Sequence, residues 1–377
     1  DDFLLFVDLD PVAVTNPAST IFSSGVATQT WIAEWVEDSG GSDPDPEFIF
    51  VASLVEDDSI NIESESYLKV SQIAVIPGEP NVASVSNNGE LIHGESFSID
   101  GNEFGTKSPV APILWDTLDN IPEYSGFVDG EIIPSQNGDW NTTPCSTCFW
   151  NRNFPTWTSP IKYCTDNPRV SGTPNYCFDR KGWFQREIVD IDKLYVNWWF
   201  YTTGTALDES NKLLRVWPDG SGDTGRTSWT TMHMTYDGDA NHDGVVESLV
   251  DWPSWGGSTA VWHNLEVEIN SSGDIQHGYG SYKGILDGEL RHDLNDLHGM
   301  SAYNNLYRFG FDPAFGDHFT STVHRLSHIY IDSSFAKILI CNISSWNQRS
   351  GSHCEIQIPH TTWDGSTIQF TANQGSF

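Results

Sequence analysis

Positive charge is what this chain has least of. Its 18 Lys and Arg face 52 Asp and Glu, a formal net charge of −34 over 377 residues. So acidic a surface repels phosphate backbones and anionic headgroups, which excludes nucleic acid and anionic membranes as partners. Methionine is nearly missing, at 3 residues. No apolar run reaches the roughly eighteen residues of a membrane-spanning helix, so no membrane insertion is expected. No long stretch repeats apolar residues at helical spacing, which argues against a helical core. A basic leader with an apolar stretch is also missing, and the chain starts on Asp1 rather than Met. The expectation is a mature, processed, exported protein, extracellular or at the cell surface.

What is present points one way. Gly, Pro, Asn, Asp and Ser recur at short intervals, the punctuation of an all-β protein. Tryptophan is over-used, at 16 residues. The length suffices for two or three domains, each with its own core. The six cysteines are Cys145, Cys148, Cys164, Cys177, Cys341 and Cys354. A zinc ribbon would need a second C-x-x-C pair after Cys148, so disulfides in an oxidising compartment are expected. Cys341 and Cys354 flank a hairpin and are expected to close it; the other pairing stays open. Asn141, Asn270 and Asn342 head glycosylation sequons.

Phe3-Leu4-Leu5-Phe6-Val7 near the start is a sticky strand where a terminus is ordinarily polar. Thr28–Val36, Glu47–Val55, Ser59–Glu63 and Tyr67–Ile76 read as strands of a small sandwich over 21–76. Pro80–Val85, then "HGESFSI" at His93–Ile99 and "GNEFG" at Gly101–Gly105, resemble the start of an IPT/TIG domain. That resemblance implies an immunoglobulin-like binding or structural module over 77–124.

Between 125 and 328 strands come steadily: Lys193–Tyr201, Asn211–Trp217, Ser228–Tyr236, Trp262–Asn270 and Leu306–Phe311. "LYVNWWFY", "NKLLRVW" and "VWHNLEVEIN" resemble successive strands of a concanavalin-like jelly roll, which implies a ligand-facing sheet. The end, "EIQIP…TIQFTANQGSF", resembles the closing module of bacterial surface and phage-type proteins, placed here at 329–377. Those relatives carry one more apolar strand after that point. The resemblance therefore implies a module lacking its last strand, with Ile368 and Phe370 beside the gap. Residues 1–20 would be the donor strand and linker. Donation into a neighbour would build a head-to-tail polymer. Docking of the first strand within its own chain is the alternative.

Three constellations bear on chemistry. Asp239, Asn241 and Asp243 alternate before Gly244, the front half of a calcium loop. Val245, Glu247 and Asp251 complete the candidate Ca²⁺ ligand set, and an acidic turn without metal is the competing reading. Trp252 and Trp255 sit in a Gly/Ser loop suited to stacking on sugar rings. Glu266 and Glu268 share a strand face, as an acid/base pair would, although a decorated exposed face is the commoner explanation. "YGSYKG" at 279–284 resembles the tyrosine strand of an alginate lyase, without its arginine partners. No G-x-S-x-G, P-loop or H-E-x-x-H occurs, so no enzyme is expected. The expectation is an extracellular fibre subunit with a lectin-like domain outward. The alternative is a monomeric polysaccharide-binding protein, then a polysaccharide lyase or glycoside hydrolase.

Overall fold

Alternation at period two governs the longest strand among the described residues. In Lys193–Thr202, Leu194, Val196, Trp198 and Phe200 belong to the main core, while Tyr195, Asn197 and Trp199 are buried on the opposite face. Both faces of this strand are therefore covered, as in a strand at the centre of a layered fold. The computed structural model describes residues 2–8, 14–15, 20–21, 32–33, 47–54, 57–63, 68–69, 80–86, 91–133, 161–178, 184–187, 191–203, 212–218, 226–238, 247–270, 280–297, 306–312, 323–343 and 349–377. The chain divides into two compact units, Asp1–Glu79 and Pro80–Phe377.

The first unit holds β1 (Asp2–Asp8), β2 (Val14–Thr15), β3 (Thr20–Ile21), β4 (Ile32–Ala33), β5 (Glu47–Leu54), β6 (Asp57–Glu63) and β7 (Leu68–Lys69). β1 lies antiparallel between β3 and β5. Its register on β5 runs from Phe3↔Leu54 to Asp8↔Ile49, and Asp2 and Phe3 also meet β3. β6 and β7 extend the sheet from β5, and β2 pairs β4. This corrects the expectation for Phe3, Leu4, Leu5, Phe6 and Val7 as a subunit interface. Their backbone groups pair with β3 and β5 of the same chain.

The second unit begins with β8 (Asn81–Val85), β9 (Ser96–Asn102) and β10 (Leu114–Asp116), then a 3-10 turn at Pro122–Tyr124. Next come β11 (Lys162–Cys164), β12 (Asn175–Phe178), β13 (Phe184–Glu187), β14 (Lys193–Thr202), β15 (Lys212–Pro218) and β16 (Arg226–Thr230). They are followed by β17 (Met234–Gly238), β18 (Glu247–Asp251), β19 (Trp262–Asn270), β20 (Gly280–Leu286) and β21 (Glu289–Leu297). The last are β22 (Leu306–Asp312), β23 (His324–Asp332), β24 (Leu339–Cys341), β25 (Cys354–Ile356), β26 (Ile358–Trp363) and β27 (Thr367–Thr371).

Two of its antiparallel sheets face each other across the main core. One runs β11-β12-β23-β14-β19-β20-β21 with β10 on β23; the other runs β13-β22-β15-β16-β17-β18. Trp198 of the first meets Trp229 of the second edge to face at 6.1 Å, and Leu214, Val216, Met234 and Tyr236 fill the space around them. The architecture is all-β and jelly-roll-like, as the strand pattern predicts.

A further sheet, β26-β27-β9-β8, joins the two ends of this unit. Phe97 opposes Phe370 and Ile99 opposes Ile368, with the phenyl rings stacked at 5.9 Å. Ile368 and Phe370 are thus interior residues, buried by β9, which corrects their placement at an open gap. β27 has a neighbour on each side. Disulfides join Cys164 to Cys177 across β11 and β12, and Cys341 to Cys354 across β24 and β25. Cys145 and Cys148 lie outside the described residues. No helix among the described residues is long and apolar enough to cross a membrane.

Phe370→Ala should cost about 3–5 kcal/mol, because it opens a cavity against Phe97 that β-sheet backbone cannot collapse to fill. Val82→Ala, at a side chain 54% exposed on the edge strand β8, should stay within about 0.5 kcal/mol. Denaturant unfolding followed by tryptophan fluorescence separates the two. Equal losses would mean that the ends of the unit are not joined through this sheet.

Candidate functional site

Around Glu266, the face of the larger sheet turned away from the main core is covered by the protein's own chain. Glu266, on β19, is 1% exposed. Its carboxylate accepts a hydrogen bond from the Tyr195 hydroxyl at 2.6 Å and pairs with Arg349 and, at 3.3 Å, with Lys337. The same Lys337 ammonium reaches Glu268 at 2.7 Å and lies 4.2 Å above the Tyr195 ring. Beside this group Lys107 pairs with Asp332 at 2.9 Å, and Tyr330 donates to Asp332 at 2.6 Å. Arg169 pairs with Glu355 while its guanidinium covers Trp199 at 3.9 Å. Asn197 and Asn264 exchange amide hydrogen bonds at 3.0 and 3.2 Å.

Burial alone would raise the Glu266 pKa. The nearby Lys337 and Arg349 charges and the Tyr195 hydrogen bond outweigh it and hold the carboxyl below its ordinary range. A general acid would need the opposite shift and an open face. Glu266 and Glu268 are therefore ion-pair partners beneath a lid of their own chain, neither a catalytic pair nor an exposed decoration. The Tyr282 ring, in the 279–284 stretch, is buried in the main core.

The open chemistry lies on the loop between β18 and β19. Trp255 turns inward: it is 1% exposed and its ring meets Phe200 and His263 edge to face at 5.8 and 5.5 Å. This corrects its placement as a sugar platform; the indole is the hydrophobic anchor of the loop. Its backbone N–H donates to the Thr231 carbonyl at 3.2 Å. Trp252, on the same loop, turns outward at 66% exposed, with the His233 ring 4.9 Å away. At Gly256 the chain takes φ +82°, the left-handed turn that glycine tolerates, and a Cβ there would strike Arg291.

Beyond that turn the loop meets β19. Nε2 of His263 is 3.1 Å from the Ser258 hydroxyl and accepts the Ser258 backbone N–H at 3.0 Å. Nδ1 of the same ring is 2.7 Å from the Asp287 carboxylate. Asp287 sits in the β20–β21 turn at φ +48°. Its second carboxylate oxygen accepts the Asn264 N–H at 2.9 Å, and its own N–H donates to the Asn264 carbonyl at 2.8 Å. Ser258 is exposed and His263 buried. Serine, histidine and aspartate thus stand in a hydrogen-bonded row. Sequence reasoning missed it, because the three come from a loop, a strand and a turn without a shared motif.

The remaining predicted positions are scattered. Asp239, Asn241, Asp243 and Val245 lie outside the described residues, as does Asn141. Glu247 opens β18. Asp251 ends that strand with its carboxylate 2.9 Å from Nδ1 of His292, and burial holds His292 below its ordinary pKa and so neutral at pH 7. Asn270 ends β19, half-buried, and Asn342 is exposed after β24.

No family model matches the sequence, and no curated protein matches it either. Solved structures with similar folds include an endo-β-1,4-glucuronan lyase from the fungus Trichoderma reesei, at 8% identity and TM-score 0.36, covering 46% of this chain and 87% of that one. An alginate lyase from a Chlorella virus matches at 13% identity and TM-score 0.36, covering 46% and 88%. The receptor-binding domain of botulinum neurotoxin D matches at 11% identity and TM-score 0.30, covering 46% and 44%. Likeness this slight carries no statement about activity.

Glu266→Gln should destabilise the second unit by about 3–5 kcal/mol, since it leaves Lys337 and Arg349 facing a buried neutral amide. The sign of the pH effect follows from the lowered pKa. The stabilisation from Glu266 is fully present above its ordinary value of 4.5 and is lost as pH falls through the lower folded value. Chemical denaturation from pH 7 to pH 3 should show the wild type losing this increment and the variant lacking it throughout. A variant that tracks the wild type at every pH would refute the assignment.

Proposed function

We propose that the protein is an exported carbohydrate-binding protein whose contact with polysaccharide is made at the rim of the jelly roll, on the loop carrying Trp252. The single observation behind this reading is the outward indole of Trp252. Among the tryptophans whose side chains are described the others are buried or half-buried, while this ring is held open beside His233 on a loop anchored by Trp255. A flat apolar face with polar groups beside it suits a sugar ring, which has apolar C–H faces and a hydroxyl rim. Around Glu266 the outer face of the larger sheet is covered by ion-paired side chains, which favours the rim. The Cys164–Cys177 and Cys341–Cys354 disulfides agree with export to an oxidising compartment.

The fibre reading is not carried forward. Its support was a spare strand at the front and an open sheet at the end, and β1 pairs with β5 while β27 lies between β26 and β9. Calcium remains part of the proposal on the strength of the 239–247 sequence pattern. Removing it with a chelator should lower the melting temperature, and adding Ca²⁺ should restore it; an unchanged melt would dismiss the metal.

Affinity electrophoresis against a panel of acidic and neutral polysaccharides tests the main reading. At least one should retard the wild-type chain, and Trp252→Ala should weaken that binding about tenfold, the loss of one stacking contact. Retardation unchanged in the variant would rule out this loop as the contact.

A further inference from the structure

We propose that Ser258, His263 and Asp287 form an acyl-transfer site that cleaves carboxylic esters, with Ser258 as nucleophile. The proposal goes beyond carbohydrate binding and does not depend on it. Three features of the geometry carry it.

The first is the order of contacts. Asp287 Oδ2 is 2.7 Å from His263 Nδ1, and His263 Nε2 is 3.1 Å from Ser258 Oγ. A carboxylate on Nδ1 places the proton there, so Nε2 presents its lone pair to the hydroxyl. The second is rigidity. Asp287 is tied twice to the backbone of Asn264, the residue next to His263, so acid and imidazole move as one piece. Trp255 packs on the imidazole ring and fixes its plane. The third is access. The imidazole is buried, whereas Ser258 is exposed at the surface of the loop. That combination suits a nucleophile reached from solvent and a base shielded from it.

Nε2 has a second partner, the Ser258 N–H at 3.0 Å, so backbone and hydroxyl share its lone pair. The Ser258 carbonyl also lies 3.1 Å from Nε2. Once the imidazole takes the hydroxyl proton, that carbonyl and Asp287 both accept from the imidazolium, which stabilises the charged form. The backbone N–H of Thr259 has no acceptor among the described residues and is available to an oxyanion.

Ser258 Oγ bonds to the ester carbonyl carbon as its proton passes to His263 Nε2. The carbon–alkoxy bond breaks, and the leaving alcohol takes that proton. Water then attacks the acyl carbon, giving a proton to Nε2, and Ser258 Oγ leaves and recovers it. The products are an alcohol and a carboxylic acid. An open site with the serine on the surface suits a small acyl group carried on a large alcohol, because only the acyl carbon need reach the loop.

A fluorophosphonate probe on the full-length wild-type chain, followed by peptide mass mapping, is the first test. The expected adduct is on Ser258, with Ser254 and Thr259 unmodified. p-Nitrophenyl acetate hydrolysis is the second: Ser258→Ala should abolish it and Asp287→Asn should lower it by about a hundredfold or more. Val261→Ala, at an exposed side chain of the same loop outside the row, should retain turnover. Absence of any Ser258 adduct on the folded wild-type chain overturns the proposal, whatever the variants do. So does turnover by a folded Ser258→Ala chain equal to wild type.

Discussion

A charge moved out of water must bring its partners with it, and Glu266 is where this protein meets that constraint. An isolated carboxylate at that depth would cost several kcal/mol, or would take up a proton. Three donors prevent this: the Tyr195 hydroxyl from the neighbouring strand, Lys337 after β23, and Arg349 before β25. Two of them belong to the segment that crosses the sheet. The carboxylate and its cover therefore require each other: the segment cannot lift without stranding a buried anion, and the anion cannot be tolerated unless the segment is down. Lys107 with Asp332 and Arg169 with Glu355 repeat the device on the same unit.

That closure decides where function can lie. A jelly-roll sheet facing solvent is a natural ligand surface, and the carboxylates of β19 invite such a reading. Trp199 lies beneath Arg169 and Tyr195 beneath Lys337, so these two aromatic rings of the face already hold cations. The proposed ligand contact lies instead at the edge, where the β18–β19 loop turns one indole in and one out. The inward Trp255 supplies the apolar anchor, so the outward Trp252 need not collapse onto the core.

Strand periodicity was legible because it depends on neighbours in sequence. Leu194, Val196, Trp198 and Phe200 announce a core face, and adjacent Trp198 and Trp199 must part to opposite sides, as they do. Cys341 and Cys354 are likewise readable as the closure of a hairpin. Partners far apart in sequence were not legible. Nothing local in "SFSI" says that Phe97 stacks on Phe370, and nothing in "FLLFV" distinguishes a donor strand from a neighbour of β5. The buried state of Glu266 was equally hidden. Its alternation with Val267 matches an exposed face, and only Lys337 and Arg349 reverse that inference.

The Ser258 row shows the same limit from the chemical side. His263 is readable as part of a strand, and Asp287-Gly288 as a turn. Their meeting depends on β19 and β20 being adjacent and on the left-handed turn at Gly256 returning the loop to the strand. The arrangement also has a purely mechanical use, since it pins the C-terminal end of the loop that displays Trp252. The two uses differ in one atom. Pinning needs only the Ser258 N–H on Nε2 and is indifferent to the hydroxyl. Acyl transfer, as proposed, needs the hydroxyl itself, which lies 3.1 Å from an imidazole whose other nitrogen faces a carboxylate tied to the backbone.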